Sequence, residues 1–472
     1  MICSKVQLSN EILAPCVASS SGGEGKCFAQ KLFLYCSHFF KVVRCFVFSL
    51  LSLFSSSLTA QSDSQTLLAR IAEYENAIAN TSTDNPASQV YSLEGSELFL
   101  SLAQLQTQAG DYSAAAEAYQ QALLSLRVVE GLASTTQLQL LDGYNAVLFE
   151  LQRWEDLDSN YHLAYTMSER LFGVDHQQTQ TAATRLASWK IRAWQTGVYR
   201  PGGDRSVQEA SEIYRQLLSS LADDPTTKAQ RANWLSARGL AYFYAARHIA
   251  NLPVTEFQHS VPQTASFQQC IPIVMSVDGA QPSANACHAN QNLDPEYHAS
   301  QQREKNNTVR RHLGNMRQSF MEAIEALEAN PETTVEQLAR GILNLGDANL
   351  LAQDYPRARS QYRRAWELLS ADNENLALRQ RLLDQPVRAL QGLLETLPFD
   401  LPLPGEEIQG TVSFDVSEIG EIENINVGGE SAALTQENLG AMAIKLDQSV
   451  YRPRINEGRP VRSRLSLPAS EL

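Results

Sequence analysis

The chain has 472 residues, 43% hydrophobic and 19% charged, so a sizeable core is feasible and global disorder is excluded. Its formal net charge of -14 removes the basic surface that a nucleic-acid binder needs to displace counterions from phosphates. These quantities imply an acidic, soluble protein of two or three domains.

Residues 1–60 read as an N-terminal extension followed by a signal peptide. Lys41 and Arg44 precede an apolar run from Cys45 to Phe54, and small residues then lead to Ala60. The run is shorter than the roughly 18 apolar residues that span a bilayer. Cleavage is expected after Ala60, giving an exported mature chain. Leu58 sits where a small residue is preferred, which keeps open an uncleaved inner-membrane anchor over 42–58. Residues 1–38 are too long and mixed for a leader, and a start near Val42 or Val43 would remove them. Ser21 to Lys26 lacks both the first glycine and the Ser/Thr of a phosphate loop. Cys3, Cys16, Cys27, Cys36 and Cys45 all precede the cleavage point, and Cys36 and Cys45 lack the small neighbours of a lipidation site. The mature chain keeps Cys270 and Cys287, which in an exported protein read as one disulfide.

Residues 61–397 read almost entirely as helix. In the clearest piece Ala103 lies in one helix, Gly110-Asp111-Tyr112 forms a turn, and Ala115, Tyr119 and Ala122 follow on the next. Small residues at these places let two helices approach closely, and the aromatic fills the gap toward the following pair. Gly346, Tyr355, Ala358, Tyr362 and Ala365 hold the same register near the other end. This spacing resembles the tetratricopeptide repeat (TPR). A second copy runs through Leu141, Tyr144, Leu148, Trp154, Leu157, Tyr161 and Ala164, with Asn145 where a small residue belongs. Tyr119 and Tyr161 lie 42 residues apart, against about 34 for the standard repeat, so extended helices are expected. A weaker copy holds Ala210 and Tyr214, after a helix around Ala182–Trp194. Leu235, Gly239 and Tyr242 look like the first helix of another, with Met316, Phe320 and Ala323 on its second. The stretch between, about 250–307, reads as an inserted surface excursion containing both mature cysteines. A disulfide across it would contribute roughly 3 kcal/mol by the chain-entropy model. Leu376 to Leu397 is expected to cap the array, broken by Pro386 into two short helices or a kink. Residues 398–405, with Pro398, Pro402 and Pro404, form a stiff linker.

Within 406–472, Val412, Phe414 and Val416 alternate with polar residues as a half-buried strand. A turn from Ser417 ends at Gly420, which is free to take positive φ. Ile425 and Val427 mark a partner strand. Leu439, Met442, Ala443, Leu446 and Val450 share one helical face after Thr435 as N-cap, and Val461, Leu465 and Leu467 form a last strand. The order is strand, strand, helix, strand. Gly410, Gly420, Tyr451-Arg452-Pro453 and Gly458, Pro460 and Val461 make this segment resemble the C-terminal domain of the TonB family. That resemblance implies a periplasmic domain whose last strand lies at a sheet edge and pairs with an extended peptide from an outer-membrane receptor. Its partners would be cell-envelope proteins, an outer-membrane protein among them. The long spanner of the transducers and their tyrosine-proline motif are missing, which favours an adaptor over an energy transducer.

The expected fold is therefore mostly α: a TPR-like helical solenoid followed by a small α+β (ββαβ) TonB-like domain. The zinc-protease helix, nucleophile elbow, dinucleotide fingerprint and calcium loop are absent from the sequence, so no enzyme activity or cofactor is expected. Cys270, Cys287, His288 and His298 offer tetrahedral zinc as the alternative to a disulfide, without the close cysteine pair of structural sites. Glu97, Arg340 and Asp347 are charged residues that either line a groove or belong to solvated helix faces. Alkylation of the denatured protein without reductant should leave Cys270 and Cys287 unmodified by mass spectrometry. Modification of both thiols would reject the disulfide.

Overall fold

In the computed structural model the described residues are 65–80, 91–199, 205–221, 227–254, 256–257, 295–398, 411–428, 446 and 449–468. The expected signal peptide, Cys270, Cys287, Gly410, most of the expected linker and nearly all of the 435–450 segment lie outside them. The chain divides into Met1–Asn76 and Ala77–Leu472. In the first unit the described residues are those of helix α1 (65–80), which runs on across the boundary. The second unit is mostly helical, with small antiparallel sheets near its C-terminal end.

Local chemistry fixes where its helices begin. The Ser92 side chain accepts from the Gly95 N–H at 3.0 Å and opens α2 (Leu93–Ala109). Gly110, at φ +79°, ends α2, and Asp111 caps α3 (Tyr112–Glu130). Ser134 caps α4 (Thr135–Glu150), which is followed by α5 (Trp154–Phe172). Then come α6 (Gln177–Thr196), α7 (Arg205–Ser220), α8 (Lys228–Asn251) and α9 (Pro295–Glu328). Thr334 and Gln337 form a reciprocal capping box at α10 (Val335–Leu351), and Asp354 caps α11 (Tyr355–Ser370). One left-handed turn residue recurs between paired helices: Gly110, then Gln152 at φ 55° and Gln353 at φ 59°. From α2 to α11, successive helices pack against one another in chain order.

Close approach is achieved by placing a small residue opposite an aromatic. A Cβ on Gly346 would lie 2.4 Å from the Tyr362 ring, and one on Gly239 would lie 3.0 Å from Phe320. Tyr119 meets Gly143 in the next pair, where a Cβ would sit 2.6 Å from the tyrosine hydroxyl. Gly143, two residues before Asn145, is thus the small residue of the second pair.

Helix α9 begins at Pro295, well before the 307 expected as the end of the insertion. Its early turns are held by the α8–α9 interface: buried Lys305 donates from Nζ to the Leu252 carbonyl at the end of α8, at 2.6 Å. Arg238 of α8 bonds Glu322 at 2.9 Å and Ser319 at 3.2 Å.

The expected cap is broken around Pro386 into α12 (Leu376–Leu383), strand β1 (Val387–Arg388) and α13 (Gln391–Thr396). Strand β1 is no terminal cap. It pairs antiparallel with β4 (Tyr451–Arg452), Val387 opposite Arg452 and Arg388 opposite Tyr451. The helical region therefore ends inside the C-terminal module, where backbone groups freed by proline find partners.

In that module β2 (Thr411–Val416) lies between β3 (Ile422–Gly428) and β7 (Ser463–Pro468). Its inward residues Val412, Phe414 and Val416 pack with Leu446, Tyr451 and Leu465. Leu465 and Leu467 lie on the expected last strand, β7, whereas Val461 ends the hairpin that precedes it, β5 (Arg454–Asn456) and β6 (Arg459–Val461). Glu457 at φ 49° and Gly458 at φ 73° form a two-residue turn with both residues left-handed, the geometry that joins two twisted strands tightly.

Gly346→Ala should destabilise the protein by about 2 kcal/mol, because overpacking against Tyr362 outweighs the gain in helix propensity. Gly314→Ala in α9, where a Cβ meets nothing within 4 Å, should stabilise it by about 1 kcal/mol. Denaturant unfolding of the two variants provides the check.

Candidate functional site

Residues of the last repeat and of the C-terminal motif meet in one place. Asp347 of α10 is fully buried; it accepts from the Tyr362 hydroxyl at 3.0 Å and from the Leu390 N–H at 3.1 Å. Leu390 reaches it with a left-handed backbone, φ 62°. Arg452 of β4 brings Nε to 3.4 Å from the same carboxylate, within ion-pair range but without a hydrogen bond. Burial pushes the Asp347 carboxyl above its ordinary pKa, while Arg452 and the two donors pull it down. Burial and the nearby carboxylate push the Tyr362 hydroxyl well above its ordinary value. Asp347 is therefore a buried anchor and not an exposed groove charge. Arg340 pairs with Glu336 at 2.9 Å, and Glu97 lies exposed on α2.

The other motif residues of the module converge on the same helices. The Tyr451 N–H donates to the Gly420 carbonyl at 3.2 Å. A Cβ on Gly420, whose φ is 82°, would lie 2.5 Å from the Tyr451 carbonyl oxygen and 3.0 Å from Leu350 of α10. A Cβ on Gly458 would lie 3.3 Å from Arg363 of α11. Pro453 and Pro460 are buried, and Val461 is half-buried. Tyr451, Arg452, Gly420 and Gly458 are thus occupied in seating the module on α10 and α11.

Beside this joint lies a cleft of about 860 Å³. Gln230 and Asn233 of α8 and Arg340 and Asn344 of α10 face β1, α13 and β4 across it. A smaller cleft of about 390 Å³ lies among α4, α5 and α6. It is lined by Gln139, Asp142, Asn145 and Thr181, and Arg185 spans it to Asp142 at 3.1 Å. Asn145 is buried, and its Oδ1 has no hydrogen-bond partner.

One polar cluster was not anticipated from the sequence. Lys190 of α6 is 2% exposed and lies 3.3 Å from Asp158 of α5 and 3.0 Å from Glu209 of α7. Trp189 donates to Asp158 at 2.9 Å, and His162 lies 3.2 Å from Glu209. A lysine between Trp189 and Ile191 was the available signal. It ties three consecutive helices together.

His298 lies on α9, whereas Cys270, Cys287 and His288 lie outside the described residues. Among the described residues no group of three or more His, Cys, Asp or Glu could hold a metal ion, and no helix is long and apolar enough to cross a membrane.

No protein-family model and no curated protein matches the chain. Among solved structures it is similar to the crystal structure of BtubC (BKLC) from P. vanneervenii, at 14% identity and a TM-score of 0.30, over 65% of this chain and 91% of that one. A likeness at that level establishes neither a shared fold nor a shared function.

Arg452→Met leaves Asp347 buried without its cation and should cost about 3 kcal/mol at neutral pH. The carboxyl pKa then rises further above its unfolded value. The penalty should shrink as pH falls through the folded pKa and the carboxyl takes up a proton. Denaturant unfolding at neutral and mildly acidic pH measures both effects, and a pH-independent loss would contradict this account.

Proposed function

We propose that the chain is an exported, non-enzymatic adaptor of the periplasm. A TPR-like array binds a partner protein of the cell envelope, and a TonB-like C-terminal module is joined to its end. The observation carrying this reading is the repeated seating of an aromatic against glycine, Tyr119 on Gly143, Phe320 on Gly239 and Tyr362 on Gly346. Such packing, between two pairs at Tyr119 and within pairs at Phe320 and Tyr362, favours an extended array, whose long side surfaces suit peptide or helix binding. The smaller cleft, with its amide and hydroxyl side chains and the unpaired Asn145 oxygen, offers donors and acceptors to a peptide backbone.

The C-terminal module adds a second element of the same kind. Strand β7 pairs with β2 along one edge, and among the described residues no strand pairs with the other. An open edge is the requirement for adding a peptide strand from an outer-membrane protein. Leu58, two residues before Ala60 where a small residue is preferred, favours the second reading, a membrane-anchored transducer component. Membrane retention after a high-salt wash would select that reading.

Photo-crosslinking in the native envelope tests the adaptor. A benzophenone side chain at Gln139 or Thr181 should capture a defined protein, while one at exposed Glu117 or Glu367 on the second helices should not. Equal capture from all four positions, or none from the first two, would reject groove binding.

A further inference from the structure

The larger cleft has a charge opposite to that of the chain. Among the described residues four arginines line it, Arg340, Arg381, Arg388 and Arg452, against one lining carboxylate, Asp347. The whole chain carries -14. Glu336 lies at the rim, where it pairs with Arg340 at 2.9 Å and Arg381 at 2.7 Å. Those two side chains remain substantially exposed, and one carboxylate shared between them leaves a positive excess.

The deepest cation is incompletely satisfied. Arg452 is 8% exposed, and among the described residues neither its Nε nor its Nη1 has a hydrogen-bond partner. Asp347 lies 3.4 Å from Nε and balances the charge, but it makes no hydrogen bond there: its oxygens accept from the Tyr362 hydroxyl and the Leu390 N–H. Buried guanidinium nitrogens without acceptors are costly, and an incoming oxyanion would satisfy them with charge-assisted bonds. Asn233, Asn344, Gln230 and Gln391 supply neutral donors around the same cleft, and Leu393 and Leu397 supply apolar wall. Its volume of about 860 Å³ lies within the roughly 300–1,000 Å³ of small-molecule sites.

We propose that this cleft binds a small organic anion whose oxyanion group bonds Arg452, with Arg340 and Arg381 drawing it in from the rim. The inference goes beyond the adaptor reading and stands without it. The ligand would touch α8 and α10 on one side and β4 on the other, so its binding would strengthen the seating of the module. Carboxylate and phosphate share the chemistry that a guanidinium recognises.

Citrate and inorganic phosphate are the probes, each titrated calorimetrically into the purified exported chain at low salt. Saturable 1:1 binding at about 1 mM or tighter is expected for at least one. Citrate alone assigns carboxylate, phosphate alone assigns phosphate, and either supports the site. Arg452→Gln should weaken binding about tenfold or more. Arg381→Gln, at an exposed position that leaves folding intact, should weaken it about threefold through the lost rim charge. Arg215→Gln, an exposed arginine on α7, should leave it unchanged. The bound anion should also raise the thermal midpoint of the wild type more than that of Arg381→Gln. The proposal is overturned if neither probe binds saturably, or if Arg381→Gln binds as tightly as Arg215→Gln does.

Discussion

The carboxylate of Asp347 holds together parts of the chain that are far apart in sequence. It is buried, so each of its oxygens must be satisfied from within the protein. One is met by Tyr362 of the adjacent helix, the other by the backbone of Leu390 beyond the break at Pro386, and the charge is balanced by Arg452 of the C-terminal module. The left-handed backbone of Leu390, the short ladder of β1 with β4 and the contact of Gly420 with Tyr451 are the local conditions that let these groups arrive together. A buried ion pair is weak evidence for stability. Its consequence here is position, because a shifted module would leave one charge buried without the other.

The helical region obeys a different constraint, that of volume. Tyr119, Phe320 and Tyr362 each press on a glycine of a neighbouring helix. In such packing the side chain that fills the gap and the residue that makes room are one unit, because interiors close to crystal density leave no slack. The polar ties across these helices, Lys190 with Asp158 and Glu209, and Arg238 with Glu322, add direction to packing that is otherwise non-directional. Residues of α4 and α6 line the smaller cleft together with α5, and residues of α8 and α10 line the larger one together with β1, α13 and β4.

Much of the helical layout was legible. Caps such as Ser92, Asp111 and Asp354, and the period of the apolar residues, mark helix boundaries through local chemistry. Gly143 was passed over for Asn145, because which residue faces Tyr119 depends on how two helices are rotated against each other. The early start of α9 was missed for a similar reason. Its first turns are polar, and the carbonyl that holds Lys305 lies 53 residues earlier in the chain. The hairpin of β5 and β6 before the last strand was missed, since three residues a side are too few to display alternation.

The sequence by itself determined the elements: where helices start and stop, which residues alternate in β2, and where glycine or proline breaks a run. These depend on interactions within a few residues, and such interactions are written in order along the chain. Only the tertiary structure decided what the marked residues do. Asp347 read as either a groove charge or part of a solvated helix face and proved a buried anchor. Tyr451 and Arg452 read as features of a separate domain and proved to be the seat of that domain on α10 and α11. The physical reason is that burial and pairing are set by neighbours distant in sequence: Asp347 and Arg452 acquire their roles only when the chain between them has folded back.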